Sequence, residues 1–545
     1  ITCRDWSSDV CSSDLWNGEL YLEYHRGTYT TQARVKRANR KAEFALHDAE
    51  FLACWAHLLD PAYAYPAETF RRAWQLVCLN QFHDIIPGSS IGPVYEESLR
   101  QYADVMQTSQ DARDSALACI AARTGGDWLL VNPTSFARSE PVFLPGKFDS
   151  GFERGGQPLA VQPVEGGVLI SPGSLPPYSV TPVERSSILP APHSPKVDEL
   201  CLENEFLRVE FSAQGDITRI FDKASNREVL ASGGVGNQFQ AFEDRPKDFD
   251  AWDIDIYYDD KTWLAEPASS ITLVESGPLR WTVEVKRNIL NSEILQRISL
   301  RHNSPRLDFE TTVHWNERHT MFKVAFPVDV LSPVATYEIQ WGNVQRPTHK
   351  NTSWDWARFE TCAHKWVDLS EGGYGVSLLN DCKYGHDIHD NLIRLTLLRS
   401  PTSPDPMADF GEHHFVYSLL PHSGSWQENT QREAYALNDP IISYQLSVKG
   451  DRLITAHYSL VSASAPNVVV ETVKLAEDGD GIIVRLYESH RNRGPVAVRF
   501  ASAVESAWET NLLEENQAAL RVENDSIFLD LKPYQIVTMR VRLSR

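Results

Sequence analysis

Leu79–Ser90, LNQFHDIIPGSS, decides how the first part of the chain is read. It closes an amphipathic run, and Pro87-Gly88 stops that run, because proline cannot continue the hydrogen-bond ladder and glycine tolerates a left-handed exit. The pattern predicts a helix from about Ala67, led in by Pro66, to Ile86. His83 and Asp84 then fall in its last turn, at the negative end of the helix dipole, where a cation is favoured. The ring of His83 is a zinc-ligand type, and the carboxylate of Asp84 can accept hydrogen bonds from hydroxyls. The competing reading is an ordinary capping or packing histidine.

On the N-terminal side, Val35, Ala38, Ala42, Ala45, Ala49 and Leu52 recur at helical spacing from Arg34 onward. Beyond Ser89-Ser90, Tyr95, Leu99, Tyr102 and Met106 line one face of a third helix. Three helices with short connections predict an antiparallel three-helix bundle over 34–122, with the aromatic and Met stripe as core. After Gly125-Gly126 the helical period is expected to end for good. Val, Ile, Thr, Phe and Tyr runs cut by Gly, Pro and Asn turns predict β-sandwiches. Glu205–Asp222 reads as a hairpin around Gln214-Gly215-Asp216, and Ile294–Leu300 with Leu307–His314 as a second pair. Pro-rich stretches near 171–182 and 189–195, and Leu437-Asn438-Asp439-Pro440, mark boundaries. These divide the β part into a small domain (123–195), a large sandwich (196–435) and a C-terminal sandwich (436–545). The fold class is multidomain α+β, with no internal repeat.

At 545 residues, 42% hydrophobic and 10% aromatic, the chain has material for several cores. A net charge of -21 argues against nucleic acid and anionic membranes, which need basic patches. Its eight cysteines contain no C-x-x-C pair, which favours free thiols in a reducing, cytoplasmic setting. No apolar run is long enough to span a bilayer. Ile1–Leu15, ITCRDWSSDVCSSDL, has no periodic pattern and repeats Ser-Ser-Asp, so it reads as foreign, adapter-like sequence.

Trp16–Gln32, WNGELYLEYHRGTYTTQ, sets Glu19 and Glu23 among aromatics. A partly desolvated carboxyl there would have a raised pKa and could donate a proton. A surface strand with alternating Glu explains the same residues. Phe242–Asp255, FEDRPKDFDAWDID, and Tyr337–Glu360 interleave aromatics with Asp, Asn and Arg, as a sugar-binding surface would, although loop packing over a sandwich is the favoured account of them.

With these motifs in hand, the chain resembles the retaining α-mannosidases of glycoside hydrolase family 38, in their cytosolic or bacterial branch. The resemblance rests on Gly18–Ala33, Asn80–Ile91, Phe242–Asp255 and the block from Tyr337 through Leu398-Arg399-Ser400-Pro401. It implies an α/β catalytic domain ahead of the bundle, so that 16–33 is the end of a domain otherwise largely missing. It also implies one Zn2+ per full-length subunit. By motif, His83 is the zinc ligand given by the helical domain, and Asp84 matches the catalytic-pocket Asp that contacts the sugar. Glu23 matches the acid/base carboxylate, with Glu19 as rival. The implied substrates are mannose-containing oligosaccharides.

No histidine in this sequence is followed two residues later by Asp, so the family's His-x-Asp ligand pair is absent, as is the nucleophile segment. His386, His389, His413 and His414 are read as surface residues. The chain as written is therefore expected neither to hold the family's zinc tightly nor to cleave mannosides. The alternative function is a non-catalytic carbohydrate-binding protein, and a third is an assembly module whose β domains mediate homo-oligomer contacts.

Overall fold

A computed structural model describes residues 19, 24–187, 200–446 and 458–544. Helices α1 (Ala33–Leu59), α2 (Ala67–Asn80) and α3 (Gly92–Ala121) form the bundle. Val35, Ala42, Leu46 and Ala49 of α1 pack with Phe70, Ala73 and Val77 of α2 and with Tyr95, Tyr102, Val105 and Leu117 of α3. Residues 51–56 of α1 are buried all round, because the helix has a second apolar neighbour. That neighbour is the C-terminal sandwich, whose Val470, Val484, Val498 and Val541 belong to the same continuous core. Met106, expected in the stripe, is 38% exposed at the bundle's rim.

α2 stops at Asn80, not near Ile86, so His83 and Asp84 lie beyond its last turn. The Asn80 side chain donates to the Leu76 carbonyl (2.9 Å) and to Gln101 of α3 (2.8 Å), which fastens the helix end. Beyond it the N–H groups of Phe82, Ile85 and Gly88 bond carbonyls three residues back, giving successive tight turns. Side chains hold the carbonyls of this segment: Ser90 Oγ donates to Asp84 O (2.7 Å) and Lys36 Nζ to Ile86 O (2.7 Å).

The rest of the described chain is dominated by antiparallel sheets. A nine-stranded sheet runs, in spatial order, through Ser270–Ser276, Arg280–Ile289, Ser292–Arg301, Leu307–Trp315, Gly411–Ser423, Tyr374–Asn380, Trp366–Ser370, Val334–Ile339 and Gly342–Pro347. It shares one core with a six-stranded sheet centred on Gln238–Glu243, Thr320–Pro327 and Leu392–Arg399, through residues such as Phe309, Tyr417, Phe322 and Leu395. Ser292–Arg301 alternates buried with less buried positions throughout, the pattern of a strand with one face inward. Both expected hairpins form: Leu207 pairs with Asp222, and Leu300 with Leu307.

Two elements depart from expectation. Thr430–Asn438 is a helix, with Ala434, Tyr435 and Asn438 buried, so helical structure does return after Gly126. Ile442–Gln445 then pairs with Trp128–Asn132, the strand that also pairs with Ser179–Ser186. A strand from beyond the large sandwich thus completes the small sheet that follows the bundle.

Candidate active-site floor

The short turn Gly27–Tyr29 leads through Thr30–Gln32 into α1. Gln32 has φ +61°, and its N–H and that of Ala33 donate to the two carboxylate oxygens of buried Asp409, each at 2.7 Å. A distant loop therefore caps α1. Burial pushes the Asp409 carboxyl up to about 6, against those two N–H groups.

Arg399 is fully buried, and the segments 27–31 and 244–253 close around it. Its guanidinium pairs with Asp244 (2.6 Å) and donates to Thr31 Oγ1 (3.1 Å), to the Ala251 carbonyl (2.9 Å) and to the Asp253 carbonyl. Gly27 donates to the Trp252 carbonyl at 2.8 Å, and a Cβ on Gly27 would collide with the Arg399 guanidinium. Glycine is needed there for close approach. Arg26 donates twice to the Ala357 carbonyl (3.1 and 2.9 Å) and covers the Phe359 ring. Lys36 Nζ bridges the carbonyls of Thr31 (2.5 Å) and Ile86 (2.7 Å). Gly88, at φ +93°, passes so close to Thr31 that a Cβ would lie 2.6 Å from its carbonyl oxygen. The segments around residues 26–32, 81–88, 244–253, 357–359 and 399 thus converge on one buried polar floor.

Above it, the His83 side chain is 74% exposed; it lies against Phe82 and 3.4 Å from Asp84 Oδ2. The Asp84 backbone carbonyl is tied to Ser90 and Tyr95, while its carboxylate receives only a long bond from Ser89 (3.4 Å). Both side chains present donor atoms outward from a rigid base. Glu23 lies outside the described residues. Glu19 forms a two-point ion pair with Arg346, and that hydrogen bonding, against a smaller opposing effect of burial, holds its carboxyl below the usual range. Glu19 is thus placed as the counter-ion of Arg346.

Zinc requires at least three protein donors. Beside His83 the described residues bring one carboxylate, from Asp84, and no third His, Cys, Asp or Glu completes a cluster there. The residues present do not by themselves make the family's zinc site.

His386 and His413 are buried, contrary to the surface reading, because each occupies an inward position of a strand. His386 Nδ1 contacts the Tyr384 carbonyl (2.9 Å) and His413 Nε2 the Asp409 carbonyl (2.8 Å); His414 is exposed. Trp354 and Trp356 are exposed, with Trp356 edge-on to Tyr257, whereas Trp252 is half-buried against His25.

Sequence reasoning missed the roles of Arg399, Asp244, Lys36 and Asp409. It also missed a second buried cluster, in which Lys323 binds Glu360 and Asp387 (2.5 Å) and Arg394 binds Asp387 (2.7 Å). A signal was available: LIRLTLLR and MFKVAF place single cations inside apolar strands, and a buried charge requires a partner.

Three family models match the chain: the alpha mannosidase middle domain over 23–120, the glycosyl hydrolases family 38 C-terminal domain over 202–407, and that family's C-terminal beta sandwich domain over 467–539. Alpha-mannosidase 2C1 of Homo sapiens is 38% identical over 98% of this chain and 51% of its own length. Alpha-mannosidase G of Dictyostelium discoideum is 34% identical over 96% of this chain and 52% of its own. The chain spans about half the length of these curated relatives. The crystal structure of an alpha-mannosidase from Enterococcus faecalis shares the fold, with a TM-score of 0.80 at 17% identity over 96% of this chain and 69% of that one. With its bundle, its sandwiches and the order in which they follow, the chain belongs to glycoside hydrolase family 38.

Proposed function

We propose that this chain forms the helical and β-sandwich portion of a retaining, zinc-dependent α-mannosidase that removes terminal α-D-mannosyl residues from oligosaccharides. The observation that carries the reading is the buried floor under His83 and Asp84. Arg399 and Lys36 tie the family's motif blocks into one rigid base, and the two side chains above it stay solvent-facing. In this reading His83 is one zinc ligand, Asp84 accepts hydrogen bonds from sugar hydroxyls, and Glu23 is the acid/base carboxylate. A retaining glycosidase sets such a carboxyl about 5 Å from a nucleophilic one. The chain alone, with no His-x-Asp pair, is inactive in this reading. A cytoplasmic setting accords with the free thiols of Cys54, Cys78, Cys119, Cys362 and Cys382 among the described residues.

The test uses the full-length enzyme. His83→Ala should remove the catalytic zinc and most mannosidase activity while leaving the circular dichroism spectrum intact. Retention of that zinc by the variant rejects His83 as a ligand. Glu23→Gln should slow substrates with poor leaving groups far more than activated aryl mannosides, and equal losses would move the acid role elsewhere. A second reading, non-catalytic glycan binding, draws on the exposed Tyr257, Trp354 and Trp356. Glycan-array binding by this chain that disappears in Trp356→Ala would favour it.

A further inference from the structure

We propose that His47, Asp48 and Asp439 form a second metal site, for a divalent cation of the zinc class, joining α1 to the turn after the Thr430–Asn438 helix. One ligand atom from each residue lies within 4.8 Å of the others. His47 is three turns further along α1 than Lys36, about 16 Å by the helical rise, so this site is separate from His83.

The hydrogen bonds orient the imidazole as in a ligating histidine. The Tyr178 hydroxyl donates its proton to the Val470 carbonyl (2.9 Å), so toward His47 Nε2 (3.2 Å) it acts as acceptor. Nε2 therefore carries a hydrogen, and Nδ1 is the nitrogen aimed at Asp48 Oδ1, 3.1 Å away. A histidine anchored through one ring nitrogen and turned toward carboxylates through the other is the usual metal-site arrangement.

Asp439 supplies the second observation. It is 2% exposed, and its carboxyl faces that of Asp48, with which it shares a hydrogen bond when one of the two carries a proton; among the described residues no N–H group bonds it. Arg138, the nearby cation, bonds the backbone carbonyls of Asp439 (2.5 Å) and Ala436 (3.3 Å) instead. Two buried carboxyl groups beside each other cannot both ionise without a positive charge between them. One nitrogen and two carboxylate oxygens suit zinc and its neighbours better than calcium, which takes oxygen ligands. His47 and Asp439 also line a cavity of about 830 Å³, with Glu50, Trp74, Trp341 and Glu471, which gives an ion an entry path and a water a place in the open position.

The test is a zinc titration of the chelator-stripped 545-residue chain, followed by dialysis and metal analysis, with thermal melting in parallel. One equivalent should bind and raise the melting temperature; it should persist in His83→Ala and be lost in His47→Ala and Asp439→Asn. Asparagine is nearly isosteric, and its amide can donate to Asp48, so Asp439→Asn should fold. No stoichiometric zinc in the parent chain, zinc lost with His83, or zinc retained by folded Asp439→Asn would each overturn the assignment. So would metal-free Asp439→Asn melting above the parent while zinc leaves both unchanged, because protons alone would then occupy the site.

Discussion

Arg399 shows how a single residue sets the geometry of the candidate site. Its charge has no route to water, and Asp244, equally buried, is its counter-ion. Removing one partner of such a pair leaves an unpaired buried charge, at a cost of about 3–5 kcal/mol. Arg399→Met should therefore lower the unfolding free energy measured by urea denaturation by an amount in that range, and a change under about 1 kcal/mol would deny the network its role. Arg399→Lys should not rescue it, because lysine lacks the planar fork that reaches Asp244, Thr31 and two carbonyls together. Buried histidines make a second prediction at this scale. Burial pushes His364 and His386 down to about 3, and lowers His413 well below its ordinary value. Between about pH 3 and 6.5 the unfolded chain binds protons that the folded chain refuses, so stability rises with pH across that window and is lost on acidification. Each such histidine adds a slope of up to about 1.4 kcal/mol per pH unit. His386→Gln should flatten the pH dependence of the denaturation midpoint between pH 4.5 and 6.5, and an unchanged slope would mean that His386 takes up its proton in the folded state.

At the scale of elements, the turn segment after α2 carries the site, and its shape depends on contacts distant in sequence. Apolar spacing from Ala67 and the punctuation at Pro87-Gly88 located the helix and the exit. They could not place its end at Asn80, because the interactions that unwind the last turns come from Lys36, Ser90, Tyr95 and Gln101. The Thr430–Asn438 helix went unread for a similar reason: nine residues are too few for a decisive period in a β-rich stretch. Gly88→Ala should be costly, since alanine must take φ +93° with its Cβ 2.6 Å from the Thr31 carbonyl oxygen. A loss of about 2 kcal/mol or more, with faster amide exchange across residues 81–90, is expected. Gly233→Ala, at φ +72° with open space around it, is the control and should cost about 1 kcal/mol. Equal effects at the two positions would show that the contact with Thr31 is unimportant.

At the scale of the molecule, α1 is shared between two bodies, the bundle on one side and the C-terminal sandwich on the other. The small sheet is likewise completed by Ile442–Gln445. A chain ending at Asn438 should expose Phe51, Trp55, Leu129 and Val131, aggregate, and be cut rapidly by protease within 128–186. A soluble, protease-resistant product of that length would mean that the shared core is dispensable.

The amino-acid sequence by itself determined the three helices of the bundle and the β-rich run behind them, the bundle-and-sandwich class, the hairpins at Gly215 and Ser304, and, through whole motifs, the family. These features follow from periodicity, turn chemistry and local composition, which act over a few residues. Only the tertiary structure decided which charges are buried and paired, where α2 ends, and that Arg399, Asp244, Asp409 and Lys36 build the floor beneath His83. Those outcomes depend on desolvation and on partners distant in sequence, as far apart as Arg399 and Thr31, and no local pattern carries that information.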